Sequence, residues 1–582
     1  MGQDRSGGGR RGSLGDRLRA RLAARARPQG PVLWPEPRVA GELARARQIL
    51  KGRWRIGERL VEAPGQSVWE IAPETPEALA LHGMGWLDDL AAEGSAKARL
   101  LAQEWVGDWI ARHGGGTGPG WVPELAADRL LRLLGHARFL LHPPGVGEER
   151  LGPAVAATAR FLEARWRHAP QGRGQVAALA ALIQAGLALP ERRAVAVRAA
   201  QALGEEARRL VDAQGGVASR DPEELLDLMD LLVGANRALV AGDLPPDPAV
   251  AAAVGRAAPV LRALRHADGG LARFHGGCRG TEGRVDQVLA AAGRPPVVVR
   301  GGVPLHMGYL RLAAGRTTVI ADAAAPPTGP ASVAAHASTL AFELTSGRRP
   351  LVVSIGPGRS FGGRWRRAAR ATPSHSTLSL DTVSSSRLGP AVAGEAGERL
   401  VEVPGRVLAE SAPGSDGLRV EMAHDGWRPS HGLTHARLLQ LLPDGRALAG
   451  EDMLTTLTAA DGAAFDRAMN ASSHVGLPFA LRFHLHPDVE AEMAADGSVA
   501  ILLPSGEEWV FAQEGGEGLL GLEPSVYLEE GRLRPRPTLQ IVIEGRALRP
   551  TTRLRWTLAK AYGTPEGLRD LNPRADWDEE DE

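Results

Sequence analysis

Near residue 296 the spacing of apolar residues changes from helical to alternating. Before that point apolar residues recur every three or four positions: Leu79, His82, Gly83, Trp86, Leu87 and Leu90, then Leu100, Leu101, Trp105, Trp109 and Ile110. Further helices are expected over 125–141, 154–167, 175–189, 194–213 and 223–240. Gly- and Pro-containing breaks separate them at 114–120, 143–147, 170–174, 215–216 and 245–247. Consecutive helices joined by short breaks pack as antiparallel hairpins, and a long run of them can curl into an (α/α) toroid or extend as an α-solenoid. After residue 296 short β-like runs follow at 296–300, 309–312, 317–321, 351–355, 378–380, 400–403, 418–422, 436–442, 480–485, 499–503, 509–511, 525–528 and 539–543. Gly, Pro or Asp turns stand between them, as in an antiparallel sandwich. The alternation Arg482-Phe-His-Leu-His486 gives one polar and one apolar face. The switch of period argues for a helical domain followed by a β domain.

Length supports the division, because 582 residues exceed what one hydrophobic core organises. The expected parts are a basic flexible arm at 1–33, a helical domain at 34–295, a β-sandwich domain at 296–565 and an acidic tail at 566–582. The net charge of +1 gives no overall attraction to nucleic acid or to an acidic polymer, so any such binding needs a local patch. The arm supplies one candidate: Arg5, Arg10, Arg11, Arg17, Arg19, Arg21, Arg25 and Arg27 are interleaved with Gly and Ala. It reads as a fraying amphipathic segment, with contact to an anionic lipid surface as the functional alternative. Arginines at 17, 19 and 21 interrupt any apolar export segment. No run of 18 apolar residues is present, and no membrane span is expected. Cys278 is the single cysteine, which excludes an intramolecular disulfide.

Several phrases resemble the heparinase II/III family. In the helical half they are Trp121-Val-Pro-Glu-Leu-Ala-Ala-Asp-Arg129, Gln214-Gly-Gly-Val-Ala-Ser-Arg-Asp-Pro222 and Leu264-Arg-His-Ala-Asp-Gly-Gly-Leu-Ala-Arg-Phe274. In the β half they are Ala335-His-Ala-Ser-Thr-Leu-Ala-Phe-Glu343, Arg370-Ala-Thr-Pro-Ser-His-Ser-Thr377, His424-Asp-Gly and His435-Ala-Arg437. They run in order over roughly residues 34–560. The resemblance implies an incomplete (α/α) toroid of helical hairpins followed by a C-terminal antiparallel β-sandwich, with an acidic polysaccharide held in the interdomain cleft. It implies a lyase acting on uronic acids in the periplasm or cell envelope. A cytoplasmic location is the alternative, given the missing export signal.

Such a lyase cuts by β-elimination. A cation or hydrogen-bond donor neutralises the uronate carboxylate, a base removes the C5 proton and an acid protonates the leaving oxygen. The matching positions have drifted. Arg173 and Gly174 stand where the family has Asn and His, and Glu224 stands in the place of its Tyr. Ser219 and Arg220 replace a Glu and a polar neighbour. Arg173 and Arg220 are candidate carboxylate clamps, and His336 is the remaining candidate base, so the catalytic expectation is His336, Arg220, Arg173 and Glu224. The bland reading of the two arginines is surface ion pairing at helix ends.

Substrate contact is assigned to His266, Asp268, His435 and Arg437, although His266 and Asp268 also suit a simple Asx turn. For zinc, His336 and His375 are retained family positions, while Ala334, Ser338 and Ser354 replace a His and two Asp. No cofactor is expected, and zinc at His336 and His375 is the alternative. His484 and His486 share one strand face with no third ligand in sight. Besides a lyase, the sequence leaves open a catalytically degenerate glycan-binding or envelope-assembly protein. It also leaves open a glycoside hydrolase using Glu224 with Asp221 or Asp268.

Overall fold

The helix Arg173–Ala188 shows why the first half of the chain folds as it does. It is apolar on every side, and twelve of its residues are buried. A helix of that kind belongs inside a helical layer. It packs against Pro123–Gly135 and Arg193–Leu210. Gly186 permits the second contact, since a Cβ there would stand 2.8 Å from the Ala196 nitrogen. The computed structural model describes residues 12–36, 41–56, 59–71, 76–293, 304–391, 397–414 and 417–564.

Two compact units are present. The first comprises Met1–Val217, Glu224–Leu261 and Gly280–Pro295; the second comprises Ala218–Glu223, Arg262–Arg279 and Pro296–Glu582. The first unit also contains the long helices Ala96–His113 and Glu148–Arg165 and, from Glu224 on, the helix Pro222–Ala241. Ser95 caps one of them by accepting from the Ala98 nitrogen, and Asp221 caps another by accepting from the Glu223 nitrogen at 2.8 Å. Its core includes a nest of aromatic rings. Trp109 and Trp121 lie 5.9 Å apart, with the Arg129 guanidinium 4.1 Å from the Trp109 ring centroid.

The second unit stacks two antiparallel sheets. One runs in the order Val407–Gly414, Gly417–Trp427, Leu433–Leu441, Ala447–Thr455, Thr551–Lys560, Glu508–Gly516, Val499–Leu502, Glu490–Met493. The other runs Leu519–Tyr527, Arg536–Ala547, Leu477–Leu485, Arg349–Val353, Phe342–Ser346, Thr317–Asp322, Tyr309–Ala314, and Leu378–Leu380 pairs with Leu477–Leu485. Phe342, Phe483, Phe511 and Trp556 meet in the core, with Phe483 and Trp556 edge to face at 4.7 Å.

Several expectations need correction. A hairpin of Arg53–Ile56 with Arg59–Glu62 interrupts the otherwise helical half; Trp54 and Ile56 alternate inward while the arginines do not, a period of two in a run too short to stand out. The 125–141 stretch divides at His136 into Pro123–Gly135 and Ala137–Leu141. The basic arm contains a helix, Leu14–Ala23, closed by a capping box between Ser13 and Asp16. Two helices, Gly363–Ala369 and Ala459–Ala471, lie in the β half; the second also starts with a capping box, Thr458 with Asp461. Phe342–Ser346 is a strand buried along its whole length, so its Glu, Thr and Ser hide no apolar alternation because none exists. The runs expected at 296–300 and 566–582 lie outside the described residues.

Candidate functional site

Residues 218–223 and 262–279 precede the sandwich in sequence yet belong to its unit. They carry a buried polar cluster with them. Arg220 takes a left-handed backbone, φ +55°, at the end of the turn before Pro222–Ala241. Its guanidinium has five N–H groups, and all five are committed. Nε donates to the Met307 carbonyl at 3.0 Å. Nη1 donates to the Ala324 and Ala325 carbonyls at 3.0 and 2.8 Å. Nη2 donates to the Gly308 carbonyl at 2.9 Å and to Asp322 Oδ1 at 2.6 Å. The Tyr309 hydroxyl donates to the Arg220 carbonyl at 2.6 Å, and the Tyr309 ring lies 4.7 Å from the guanidinium carbon.

Asp322 ends the buried strand Thr317–Asp322 and is fully buried. Its second oxygen accepts from Ser338 Oγ at 2.7 Å and lies 3.4 Å from His275 Nε2. Burial alone would raise this carboxyl, but Arg220 and His275 outweigh it and hold it below the usual carboxylate range. His275 in turn accepts, through Nδ1, from the His336 backbone nitrogen at 3.1 Å. The His336 ring stands 5.0 Å from that of His375 and 6.2 Å from that of His275. His375 Nδ1 lies 3.0 Å from Ser354 Oγ. Burial, reinforced by neighbouring cationic and imidazole groups, keeps these rings neutral: His336 titrates well below the ordinary range, and His375 is lowered to about 3. Among the described residues His336 Nδ1 has no hydrogen-bond partner.

This donor set falls short of what zinc takes. Ser354 stands beside His375 where a carboxylate would complete the ligands, and Asp322 is engaged by Arg220, Ser338 and His275. Among the described residues no group of three or more His, Cys, Asp or Glu side chains could hold a metal ion.

The remaining expected residues are placed as follows. Arg173, in the first unit, pairs with Asp128 at 3.2 Å and Asp227 at 3.4 Å, and these two carboxylates hold its charge more firmly than usual despite burial. It lines a small pocket with Asp128, Leu131, Arg132, Asp227, Leu231 and Arg284. Arg284 shares Asp227 at 2.6 Å, and Arg132 reaches Asp88 at 2.7 Å, so each arginine of the pocket already has a carboxylate. Glu224 is half-buried in the first turn of Pro222–Ala241. His266 is buried with Nε2 3.2 Å from Glu343 Oε2, and Arg273 donates to the same oxygen at 3.2 Å. Asp268 accepts from the Gly270 nitrogen at 2.9 Å, an Asx turn, and pairs with Arg279 at 3.4 Å. Burial opposes its ionisation, but Arg279, Arg273 and His266 outweigh that and bring it to about 2.

Expected to touch substrate, His435 and Arg437 instead lie inside the sandwich. Both reach Asp452 Oδ1, at 2.7 and 2.8 Å, and Trp556 Nε1 donates to Asp452 Oδ2 at 3.0 Å. Both side chains are completely buried, so a polysaccharide meets neither without opening the core. His484 holds the Pro373 carbonyl at 2.8 Å and Ser525 Oγ at 2.9 Å, which is a structural use of that ring.

The sequence reading missed His275, the third ring of the cluster, and Asp322, its central acid. The signal for His275 was available: it follows Phe274 directly and precedes a Gly pair, and Gly276 is required because a Cβ there would stand 2.8 Å from the Ala334 Cβ at a φ of +95°. Asp322 is a lone acid closing an apolar strand, a pattern that rarely survives burial without a cation.

A family model described as "Heparinase II/III-like, C-terminal" matches residues 303–557. The chain is 31% identical over 549 residues to a protein of Caulobacter vibrioides called FtsZ-localized protein C, covering 92% of this chain and 91% of that one. Among solved structures it resembles heparinase III, with a TM-score of 0.65 at 16% identity, covering 94% of this chain and 89% of that one. The heparan sulfate lyase HepC from Pedobacter heparinus gives a TM-score of 0.53 at 13% identity, covering 94% and 88%. The fold is therefore theirs: a helical toroid followed by a β-sandwich.

Proposed function

The chain belongs to the heparinase II/III family, and from that premise we propose that it is a catalytically silent member, a binding and localising protein built on the lyase scaffold. The observation that carries this reading is Arg220. Elimination from a uronate needs a cation free to meet the substrate carboxylate. Arg220, at the family position, has given all five N–H groups to protein acceptors. The other elements agree. The Arg173 charge is matched by Asp128 and Asp227. Glu224 takes the place of the family tyrosine, and a carboxylate there repels a uronate rather than serving it. The scaffold does not by itself carry the reaction.

What the chain would localise to is suggested by its relative. The Caulobacter vibrioides protein is named as localised to FtsZ, and 31% identity over nearly the whole of both chains supports the same association here. The test joins two measurements. Purified protein is incubated with a panel of uronate polymers while ultraviolet absorbance of the unsaturated product is followed. A fluorescent fusion is imaged together with FtsZ. No absorbance change, with a fusion that follows FtsZ and disperses when FtsZ is depleted, is the expected result. Product from any polymer, lost in His336→Ala, would overturn the silent-scaffold reading.

That second outcome corresponds to the competing reading, a polysaccharide lyase using His336 as base. One observation favours it: His336 is held neutral, as a base must be. Its burial at 2% exposure weighs against it, since a base has to reach the sugar proton.

A further inference from the structure

We propose that the helix Leu14–Ala23 is a lipid-contacting device that lies on an anionic phospholipid surface, with its leucines in the acyl boundary and its arginines among the head groups. This rests on the helix alone and stands whether or not the silent-scaffold reading is right. Leu14, Leu18 and Leu22 recur at every fourth position and therefore form one stripe. They are 78%, 61% and 48% exposed, although each is a large apolar side chain. The opposite face does the docking. Asp16, Ala20 and Ala23 are buried, and Asp16 Oδ1 accepts from Arg165 Nε at 2.7 Å, which ties the helix to Glu148–Arg165 of its own unit. Gly116 allows the nearby chain to approach, since a Cβ there would lie 2.4 Å from the Ala20 carbonyl oxygen. The leucine stripe thus faces outward because the fold holds it there.

Arg17 and Arg21 border the stripe on one side and Arg19 on the other, with Arg25 just past the end. All four are exposed, and among the described residues none pairs with a carboxylate. Elsewhere the arginines of this chain are commonly paired, as Arg132, Arg173 and Arg284 are. The first 27 residues hold eight arginines against two aspartates, in a chain whose overall charge is +1. An apolar stripe flanked on both edges by free guanidiniums is complementary to one kind of occupant: a plane that offers hydrocarbon and phosphate at the same depth. A nucleic acid gives the leucines nothing to bury in. A protein groove would need acidic residues along both rims. No helix among the described residues is long and apolar enough to cross a membrane, so the contact is interfacial.

The test uses the full chain and vesicle sedimentation. One vesicle preparation is phosphatidylglycerol mixed with phosphatidylcholine; the other is phosphatidylcholine alone. Sedimentation with the anionic vesicles and little with the neutral ones is expected, with release in about 1 M salt, where the screening length falls to about 3 Å. Leu18→Glu should abolish binding. Arg17→Gln with Arg21→Gln should weaken it roughly 25-fold, at about fivefold per basic residue. These side chains are exposed, so thermal melts should match wild type and exclude unfolding as the cause. Equal binding to both vesicle types, no binding to either, or binding unchanged in both variants would overturn the proposal. Capture of a protein partner that is lost in Leu18→Glu, with no vesicle binding, would likewise overturn it by making the stripe a protein-docking face.

Discussion

Arg220→Ala should unfold the sandwich unit at a clearly lower temperature and should have no specific effect on ligand binding. The substitution removes a buried guanidinium and leaves Asp322, which is fully buried, with Ser338 and His275 as its remaining side-chain partners among the described residues. It also takes one donor away from each of the carbonyls of Met307, Gly308, Ala324 and Ala325. Breaking a buried ion pair by removing one partner costs about 3–5 kcal/mol. The four carbonyls belong to two loops that can rehydrate once they loosen, so their loss is largely contained in that figure. A domain of this size loses about 2–4 °C of Tm per kcal/mol, which gives a fall of roughly 6–20 °C. Differential scanning calorimetry reads this directly. Asp322→Asn should fall comparably, since it leaves the Arg220 charge buried. The double variant Arg220→Met, Asp322→Asn should lose less than the sum of the two, because each single change strands a charge that the other removes. Arg220→Lys should recover little, because a single ammonium cannot serve acceptors arranged around a planar fork. An Arg220→Ala protein that melts within about 2 °C of wild type, well inside the range worked out above, would refute the argument. The guanidinium would then not be a structural pin and would be available to a substrate after all.

Acid should act next most strongly on the same unit. His375 is lowered to about 3, and His484 and His486 to about 4, in each case chiefly by burial. A histidine whose pKa is depressed by folding binds its proton more weakly folded than unfolded. Its contribution is complete above about pH 6.5 and declines below that by about 1.4 kcal/mol per pH unit. Three such rings give roughly 4 kcal/mol per pH unit between pH 6.5 and 4, so the denaturant midpoint should drop steeply from pH 7 to 5; a flat profile there would be inconsistent with neutral buried rings. Purified protein dialysed against zinc should hold far less than one ion per chain by elemental analysis, and near-stoichiometric zinc lost in His375→Ala would show that Ser354 or a water completes a site. Gly450→Ala should destabilise the sandwich by about 1–3 kcal/mol, because its Cβ would stand 2.1 Å from the Trp556 ring; a melting temperature unchanged from wild type would show that the ring shifts freely.

The fold was more legible than the site, and particular residues show why. Strands such as Leu378–Leu380 and Leu477–Leu485 carry regular alternation between turn residues, so pattern alone locates them. Phe342–Ser346 carries none because both of its faces are covered, and Thr551–Lys560 alternates with arginine and threonine that hide its apolar face in composition. Site residues were legible as positions but not as environments. Sequence identifies Arg220 and His336 as chemically able groups. It does not show that Arg220 meets four carbonyls from around positions 307 and 324, each about a hundred residues away in the chain. The arm was the converse case. Its arginines were plain in the sequence, but the docked face of the helix, and hence the outward direction of Leu14, Leu18 and Leu22, depends on Arg165 reaching back across the chain to Asp16.

These long-range contacts also explain how the phrases of a lyase family can persist in a chain independently of lyase chemistry. Most of the family-like phrases in the β half contain or meet a buried arginine that holds main-chain carbonyls. Arg370, which begins one phrase, donates to the carbonyls of Ser332, Ala335 and Glu398. Arg437, which ends another, donates to those of Leu340 and Ser376. Thr372 Oγ1 donates to the Ala337 carbonyl at 2.9 Å. The loops around His336 and His375 are therefore fastened to each other through residues of the very phrases that carry the resemblance. Buried carbonyls in irregular loops must find donors, and a guanidinium supplies several from one side chain. Selection for that packing would preserve such phrases whether or not a sugar is ever cleaved. A match there reports the architecture of the sandwich, whereas chemistry on a uronate needs groups with donors left to give; Arg220 has none.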